Sequence, residues 1–421
     1  MNNYFFEDIV NKKDGFLRGP FGGALKKEIF VKKGIDTYKV YEQGVVLNKN
    51  SKIGNYYITK SYYETSMVRF TANPKDILVS CSGVNYGAIY QLPDTAEIGV
   101  INQALLRIRL NNEIADDKYF IYLFENLISK RIIGGTGDST IPNFPPMNVV
   151  RKIPVELPNL ITQKKIATVL SALDDKIELN NSINADLEQM AKTLYDYWFV
   201  QFDFPNEDGK PYKSSGGKMV YNKVLKREIP EGWTTESLYK IADFINGLAC
   251  QKYRPLTDED EYLPVIKIRE MNDGLSSNTE KARVDVPIKN IIDDGDVLFS
   301  WSATLDIKIW TQGKGVLNQH IFKVVSDKYP RSFYYFEILN YLQHFKMMAE
   351  LRKTTMGHIT LDHLRTSFIA IPPMNLINQL DDKLNILHSK IITSKKQNQE
   401  LASLRDWLLP MLMNGQVKVV D

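Results

Sequence analysis

NLITQKKIATVLSALDDKIELNNSINADLEQMAKTLYDYWF, residues 159–199, and NLINQLDDKLNILHSKIITSKKQNQELASLRDWLLPMLMNG, residues 375–415, are the two stretches whose spacing decides the fold. In the first, Ile166, Leu170, Leu173, Ile177, Asn180, Asn184, Leu187, Ala191, Leu194 and Trp198 alternate steps of four and three. That is the period of a heptad seam, and it predicts one long amphipathic helix. The second stretch repeats the seam 214 residues later, with Leu380, Leu384, Leu387, Ile391, Ser394, Asn398, Leu401, Arg405, Leu408 and Leu412. Asn159, after Pro158, suits the N-cap of the first helix, and Gly415 suits the residue that ends the second.

Both seams turn polar at their middles. Asn180 and Asn184 flank the centre of the first, Ser394 and Asn398 that of the second. A buried amide facing leucine is costly, so the register that pairs polar with polar is favoured. An antiparallel pair aligned at its midpoints sets Asn180 against Asn398 and Asn184 against Ser394. The alternative is that these positions are solvated or face another partner. The predicted seam contacts are Leu173, Ile177, Asn180, Asn184 and Leu187 with Leu387, Ile391, Ser394, Asn398 and Leu401. Over residues 159–199 such a helix is roughly 60 Å long at about 1.5 Å per residue. Two of them make a stiff bar that can seat flanking domains on sites one to two DNA turns, about 34 Å each, apart.

Outward from the helices the duplication continues. Asn102-Gln103 recurs as Asn318-Gln319, Asn159-Leu160-Ile161 as Asn375-Leu376-Ile377, and Gln163 as Gln379, at an offset of 216. Each half places a globular stretch before its helix. The first globular stretch reads as strand-rich: Gly44–Leu47 and Asp76–Ser80 are strand-like, a short helix is predicted over Tyr119–Lys130, and a Gly/Pro-rich segment follows from Gly134 to Pro146. The predicted fold is α+β: two mixed, strand-rich domains separated by two long antiparallel helices in a coiled coil, with a pseudo-twofold internal repeat. The boundaries are 1–158 and 230–374 for the globular domains, 159–203 and 375–421 for the helical segments. Residues 204–229, with Asn206–Pro211 and Lys213–Gly217, have the composition of an exposed linker.

Composition narrows the function. The 421 residues carry a formal net charge of +3, 24% charged and 43% hydrophobic residues, as in a soluble globular protein. Cys81 and Cys250, one in each half, argue for a reducing compartment, and five histidines with no CxxC make a zinc site improbable. With no visible signal peptide or membrane-length apolar run, the expected location is the cytoplasm. No GxxxxGK[ST], GxSxG or HExxH motif occurs. Gly134–Thr140 resembles a phosphate cradle without its lysine. Asn143-Phe144-Pro145-Pro146 has the residues of an adenine-methyltransferase tetrad in the wrong order. Asp174-Asp175-Lys176 and Asp381-Asp382-Lys383 contain a nuclease-like Asp-x-Lys, but on predicted helices and without the upstream acid. No catalytic residue and no metal ligand is assigned.

Polar, basic and aromatic residues on predicted loops suit nucleic acid instead, because Lys and Arg reach phosphates and guanine while Asn and Gln bond adenine. In the first half the candidates are Lys26, Lys27, Ser82, Asn85, Tyr86, Arg107, Lys130, Arg131, Thr136, Ser139 and Asn143. In the second they are Arg269, Trp301, Ser302, Thr304, Arg352, Lys353, Thr355 and His358, with Lys252, Arg254 and Lys267. Ser80 and Ser300 occupy matched strand ends, as do Thr140 and Thr360.

The chain resembles the specificity subunits of type I restriction-modification systems over essentially its whole length. The resemblance lies in Leu194–Phe204, Gly209-Lys210-Pro211-Tyr212, Ile229-Pro230-Glu231-Gly232-Trp233, Leu408–Gly415, and the Pro-rich helix openings, Pro158 with Gln163 and Ile166, and Pro372-Pro373 with Gln379. Two departures are the missing Pro-Glu-Gly-Trp in the first half, and Thr162 and Asn378 where the family commonly has glutamate. The resemblance implies a non-catalytic DNA-recognition subunit. Each globular domain is then a target recognition domain reading half of a bipartite site in double-stranded DNA. The helices space the domains and dock two modification (methyltransferase) subunits, and restriction subunits complete the assembly. S-adenosylmethionine, ATP and Mg2+ are implied for those partners, not for this chain. The competing readings are a methyltransferase or nuclease with unfamiliar motifs, and a coiled-coil scaffold with no DNA role.

Overall fold

The computed structural model describes residues 2–83, 85–134, 144–257, 260–351 and 358–419. Its internal contacts form two units, Met1–Asp175 with Leu401–Asp421, and Lys176–Glu400.

In the first unit, strands β1 (Phe16–Arg18), β2 (Ile77–Ser80), β3 (Ile89–Gln91) and β4 (Leu105–Ile108) form an antiparallel sheet in the order β1-β4-β2-β3. A second sheet of Tyr57–Thr59, Thr37–Tyr41, Gly99–Ile101 and Thr71–Ala72 contains one parallel pairing, Val40 with Val100. Helix α1 (Asp117–Ser129) starts where the Asp116 carboxylate accepts the Tyr119 N–H, an N-cap that sets its first residue. Its apolar face buries Phe120, Phe124 and Leu127 against Phe6, Ile77 and Ile108. The start of helix α2 (Leu160–Tyr195) closes this core through Ile166, Ala167 and Leu170, together with Leu412 and Met413. Asn159 caps α2 by accepting the Thr162 N–H at 2.9 Å. Arg405 and Asp174 form an ion pair at 2.7 Å across this part of the helix pair.

The second unit repeats the plan. Strands β5 (Asp243–Asn246), β6 (Val297–Ser300), β7 (Asp306–Ile309) and β8 (Ile321–Val325) form a sheet ordered β5-β8-β6-β7. Its companion sheet, Lys281–Arg283, Tyr262–Ile266, Gly315–Leu317 and Ile291–Ile292, again holds one parallel pairing, Val265 with Val316. Helix α3 (Arg331–Leu351) packs Phe333, Phe336 and Phe345 into a core with Phe299 and Val324. Helix α4 (Met374–Met413) completes it through Ile377, Leu380 and Leu384, and its end is marked by Gly415 at φ +69°.

Within the second unit α2 and α4 run antiparallel. Asn180 Nδ2 donates to Asn398 Oδ1 at 2.8 Å and to Gln397 Oε1 at 2.9 Å, and Asn398 Nδ2 donates to Asn181 Oδ1 at 2.8 Å. The Glu188–Lys395 ion pair, at 2.9 Å, lies further along. Leu173, Ile177, Leu187, Leu387, Ile391 and Leu401 are all buried or half-buried. Asn184 is buried, but among the described residues both its amide atoms and the Ser394 Oγ are without a hydrogen-bond partner.

Three details differ from the sequence reading. Gly44–Leu47, strand-like by its valines, lies within a short helix over Gln43–Leu47, which lets Val45 and Val46 both face Leu78 and Leu105. Residues 204–229 are not a plain exposed linker: Phe204 is buried and stacks on Tyr212 at 4.6 Å, and Met219–Asn222 pairs with Arg227–Pro230 as a hairpin. The aromatics overrule the polar composition, for Phe199, Phe202 and Phe204 all gather on Trp233. The offset of 216 also fails at the helix starts. Gln163 is fully buried, donating to the Ile114 and Pro158 carbonyls, whereas Gln379 is exposed. The buried match 214 residues on is Ile377.

Candidate nucleic-acid interface

Strand order brings chemistry to one end of each sheet. In the first unit, β1 and β2 finish, and β3 and β4 begin, at that end, collecting Arg18, Cys81, Ser82, Asn85, Tyr86 and Gln103. In the second, β5 and β6 finish, and β7 and β8 begin, there, collecting Asn246, Trp301, Ser302, Thr304, Gln319 and His320. The opposite ends are where the long helices take hold. Gln163 accepts the Asp116 N–H in one unit. In the other, Ser332 donates to Asp381, Gln399 to the Thr311 carbonyl, and Lys396 pairs with Asp294.

The two free ends share a frame. A side chain on Gly19 would lie 1.8 Å from the Asn102 carbonyl oxygen, and one on Gly247 would lie 2.1 Å from that of Asn318, so only glycine fits either place. Phe144 N–H bonds the Cys81 carbonyl at 3.0 Å, and Ile359 N–H the Trp301 carbonyl at 2.9 Å. Ser80 and Ser300 are both fully buried, and each anchors its turn. Gln43 Nε2 donates to Ser80 Oγ at 2.7 Å and to the Ser82 carbonyl at 2.5 Å. Ser300 Oγ donates to the Thr304 carbonyl at 2.6 Å.

On these frames sit different side chains. In the second unit the Trp301 ring lies 5.6 Å from His320 and 6.4 Å from His358, and its indole N–H donates to Asn246 Oδ1 at 3.2 Å. Ser302 is buried and pairs backbone with His358, while Thr304 and His358 are exposed. In the first unit Asn85 is exposed and Tyr86 and Ser82 are half-buried at the turn. Lys26 and Lys27 are exposed, and Lys27 lines a cleft of about 280 Å³ with Asn102 and Gln103.

Other candidates are occupied elsewhere. Arg269 bonds the almost fully buried Glu270 carboxylate through Nε at 3.0 Å and the Asn278 carbonyl at 3.2 Å, so its fork is committed to the domain. Arg107 is buried and bonds the Thr71 carbonyl; burial holds its pKa below the usual arginine range. Lys267 is paired with Glu280, and Lys130 donates to Asn414 at 3.1 Å. Thr136, Ser139, Asn143, Arg352, Lys353 and Thr355 lie outside the described residues, as does Thr140. The thiols are not poised for chemistry: burial pushes Cys81 up to about 12 and raises Cys250. Arg18, Gln103, Asn246, Gln319 and His320 escaped the sequence reading. The recurring Asn-Gln pair was the available signal, since the glutamine of each pair reaches this end.

The sequence model of the family described as type I restriction modification DNA specificity domain matches twice, over residues 22–189 and 230–403. The chain belongs to this family. It is a specificity subunit of a type I restriction-modification system with two DNA specificity domains, and its role is recognition rather than catalysis. The type I restriction enzyme MjaIX specificity subunit of Methanocaldococcus jannaschii is 25% identical over 375 residues, covering 86% of this chain and 82% of that protein. The HindI specificity subunit of Haemophilus influenzae is 23% identical over 362 residues, covering 73% of this chain and 78% of that protein. The crystal structure of the type I S subunit from M. genitalium shares the fold with a TM-score of 0.54 and 16% identity, covering 98% of this chain and 95% of that one. No helix among the described residues is long and apolar enough to cross a membrane.

Proposed function

We propose that each specificity domain of this subunit reads one half of a bipartite double-stranded DNA target, using the sheet end described above. The observation that carries the proposal is the repeat of one rigid frame bearing unlike side chains. The frame gives both domains the same approach to DNA, and the side chains give each its own sequence. Lys26 and Lys27 supply phosphate contacts in the first domain, which hold register without reading sequence. The paired helices α2 and α4 set the gap between half-sites and dock two modification subunits. Restriction subunits join that assembly in the cytoplasm. Methyl transfer and ATP-driven cleavage then belong to the partners, which use S-adenosylmethionine, ATP and Mg2+.

The test is an exchange of residues 230–372 for the corresponding domain of another family member, assayed in the assembled complex by sequencing the methylated sites. One half of the recognised motif changes and the other half and the gap stay. A change in both halves, or in neither, overturns the proposal.

A further inference from the structure

Two positions occupy the same place in the two sheets and carry different chemistry. The residue before each frame glycine is the last of its strand: Arg18 ends β1 and Asn246 ends β5. Side chains two apart on a strand share a face. Arg18 therefore shares the face of Phe16, and Asn246 that of Phe244. Their neighbours match as well. The Arg18 guanidinium is close enough to Cys81 to oppose the upward push that burial gives its thiol. The Trp301 indole bonds Asn246. Cys81 and Trp301 are themselves equivalent, each following a buried strand-end serine and each accepting the N–H of Phe144 or Ile359. What the two domains hold in common here builds the frame, and the pair that differs is free to set what each domain recognises.

We infer that Arg18 and Asn246 are base-reading residues of their domains, Arg18 selecting guanine and Asn246 adenine through the major groove. The inference rests on the proposal that these sheet ends contact DNA. Arginine presents two parallel N–H donors that match guanine O6 and N7; asparagine offers one acceptor and one donor that match adenine N6 and N7. The Arg18 Nε is buried and, among the described residues, has no acceptor. A buried donor without a partner marks a guanidinium whose hydrogen bonding the domain leaves incomplete, and a guanine edge at this strand end offers it acceptors. At the other site, an indole N–H can only donate, so it fixes the amide oxygen of Asn246 toward Trp301. That oxygen keeps a second lone pair, and the amide N–H2 is left for adenine N7. Trp301 thus acts as a positioning residue for Asn246.

The test uses the full chain in its native complex and a pool of randomised DNA, with bound sequences read before and after substitution. Arg18→Asn changes the preferred base at one position of the first domain's half-site, and Asn246→Arg changes one position of the second domain's. Each shift in base preference is roughly 5- to 150-fold, and the other half-site is unchanged. Trp301→Phe, which keeps an aromatic ring of smaller size and removes the indole N–H, relaxes the preference at the Asn246 position alone. Arg18→Lys and Asn246→Gln are carried as milder variants, and melting curves verify that every variant is folded. Folded variants that keep the wild-type base preference at every position overturn the inference. A wild-type complex that enriches no sequence overturns the DNA-reading proposal instead.

Discussion

Removing one member of the Asn180–Asn398 pair is predicted to cost more than removing both. Asn180 is 4% exposed and donates two hydrogen bonds, to Asn398 at 2.8 Å and Gln397 at 2.9 Å. Each such bond is worth about 1 kcal/mol net, so Asn180→Leu forfeits about 2 kcal/mol. The new leucine recovers little of this, because it faces the stranded Asn398 amide. Replacing both residues by leucine removes the stranded group. Asn181 and Gln397 are exposed and turn to water, and two apolar side chains then cover each other at about 1.5–3 kcal/mol apiece. The double variant is therefore as stable as the native chain or more so, and the coupling between the two substitutions is about 2 kcal/mol or larger. Urea unfolding of the four proteins, followed by the loss of helical circular dichroism, measures it. Losses that simply add, giving a double variant about 4 kcal/mol less stable, refute the reasoning that these amides matter to each other.

Other expectations concern the same unit. The antiparallel register sets position 394 opposite Asn184, whose amide has no hydrogen-bond partner among the described residues, so Ser394→Asn is predicted to supply one and stabilise by about 1 kcal/mol; an unchanged or lowered urea midpoint contradicts this. His388 is buried against Tyr335 and Phe336, and burial, with Arg331 and Lys395, lowers its pKa from 6.5 to about 4. The unfolded chain then binds the extra proton between these values, so stability falls as pH drops from 6.5 toward 4, and His388→Phe flattens that limb. Glu337 has the opposite sign. Burial raises it from 4.5 to about 7, against the pull of the Tyr195 hydroxyl bonded to it at 2.6 Å. Its contribution is full below pH 4.5 and is lost as pH rises through 7, and Glu337→Gln removes that loss. Melting temperatures across pH 4–8 for both variants separate the two limbs.

Much of the architecture was legible because heptad spacing is a strong signal. All ten positions of each seam are buried or half-buried, and of the two polar midpoint pairs Asn180 meets Asn398 as the antiparallel register requires, while Asn184 and Ser394 form no hydrogen bond with each other. Turn-level detail was harder. Val45 and Val46 look like a strand because β-branching is a local preference, and a helical turn that buries both against Leu78 is a tertiary one. Phe204 and Tyr212 sit among glycines and lysines that read as linker, yet their packing on the Trp233 cluster depends on partners distant in sequence. The candidate interface suffered most. Charge alone pointed to Arg269 and Arg107, which the fold commits to Glu270 and Thr71. Arg18 and Asn246 gave no signal by themselves, because their equivalence appears only when two strand ends are set on the same Gly and Asn-Gln frame.

The most direct measurement is the DNA motif recognised by the wild-type complex, obtained by sequencing the DNA it binds or methylates. Two different short motifs, separated by a gap of fixed length and indifferent sequence, are what two unlike readers on a stiff spacer produce. A single uninterrupted motif, or two half-sites whose separation varies freely, contradicts the account.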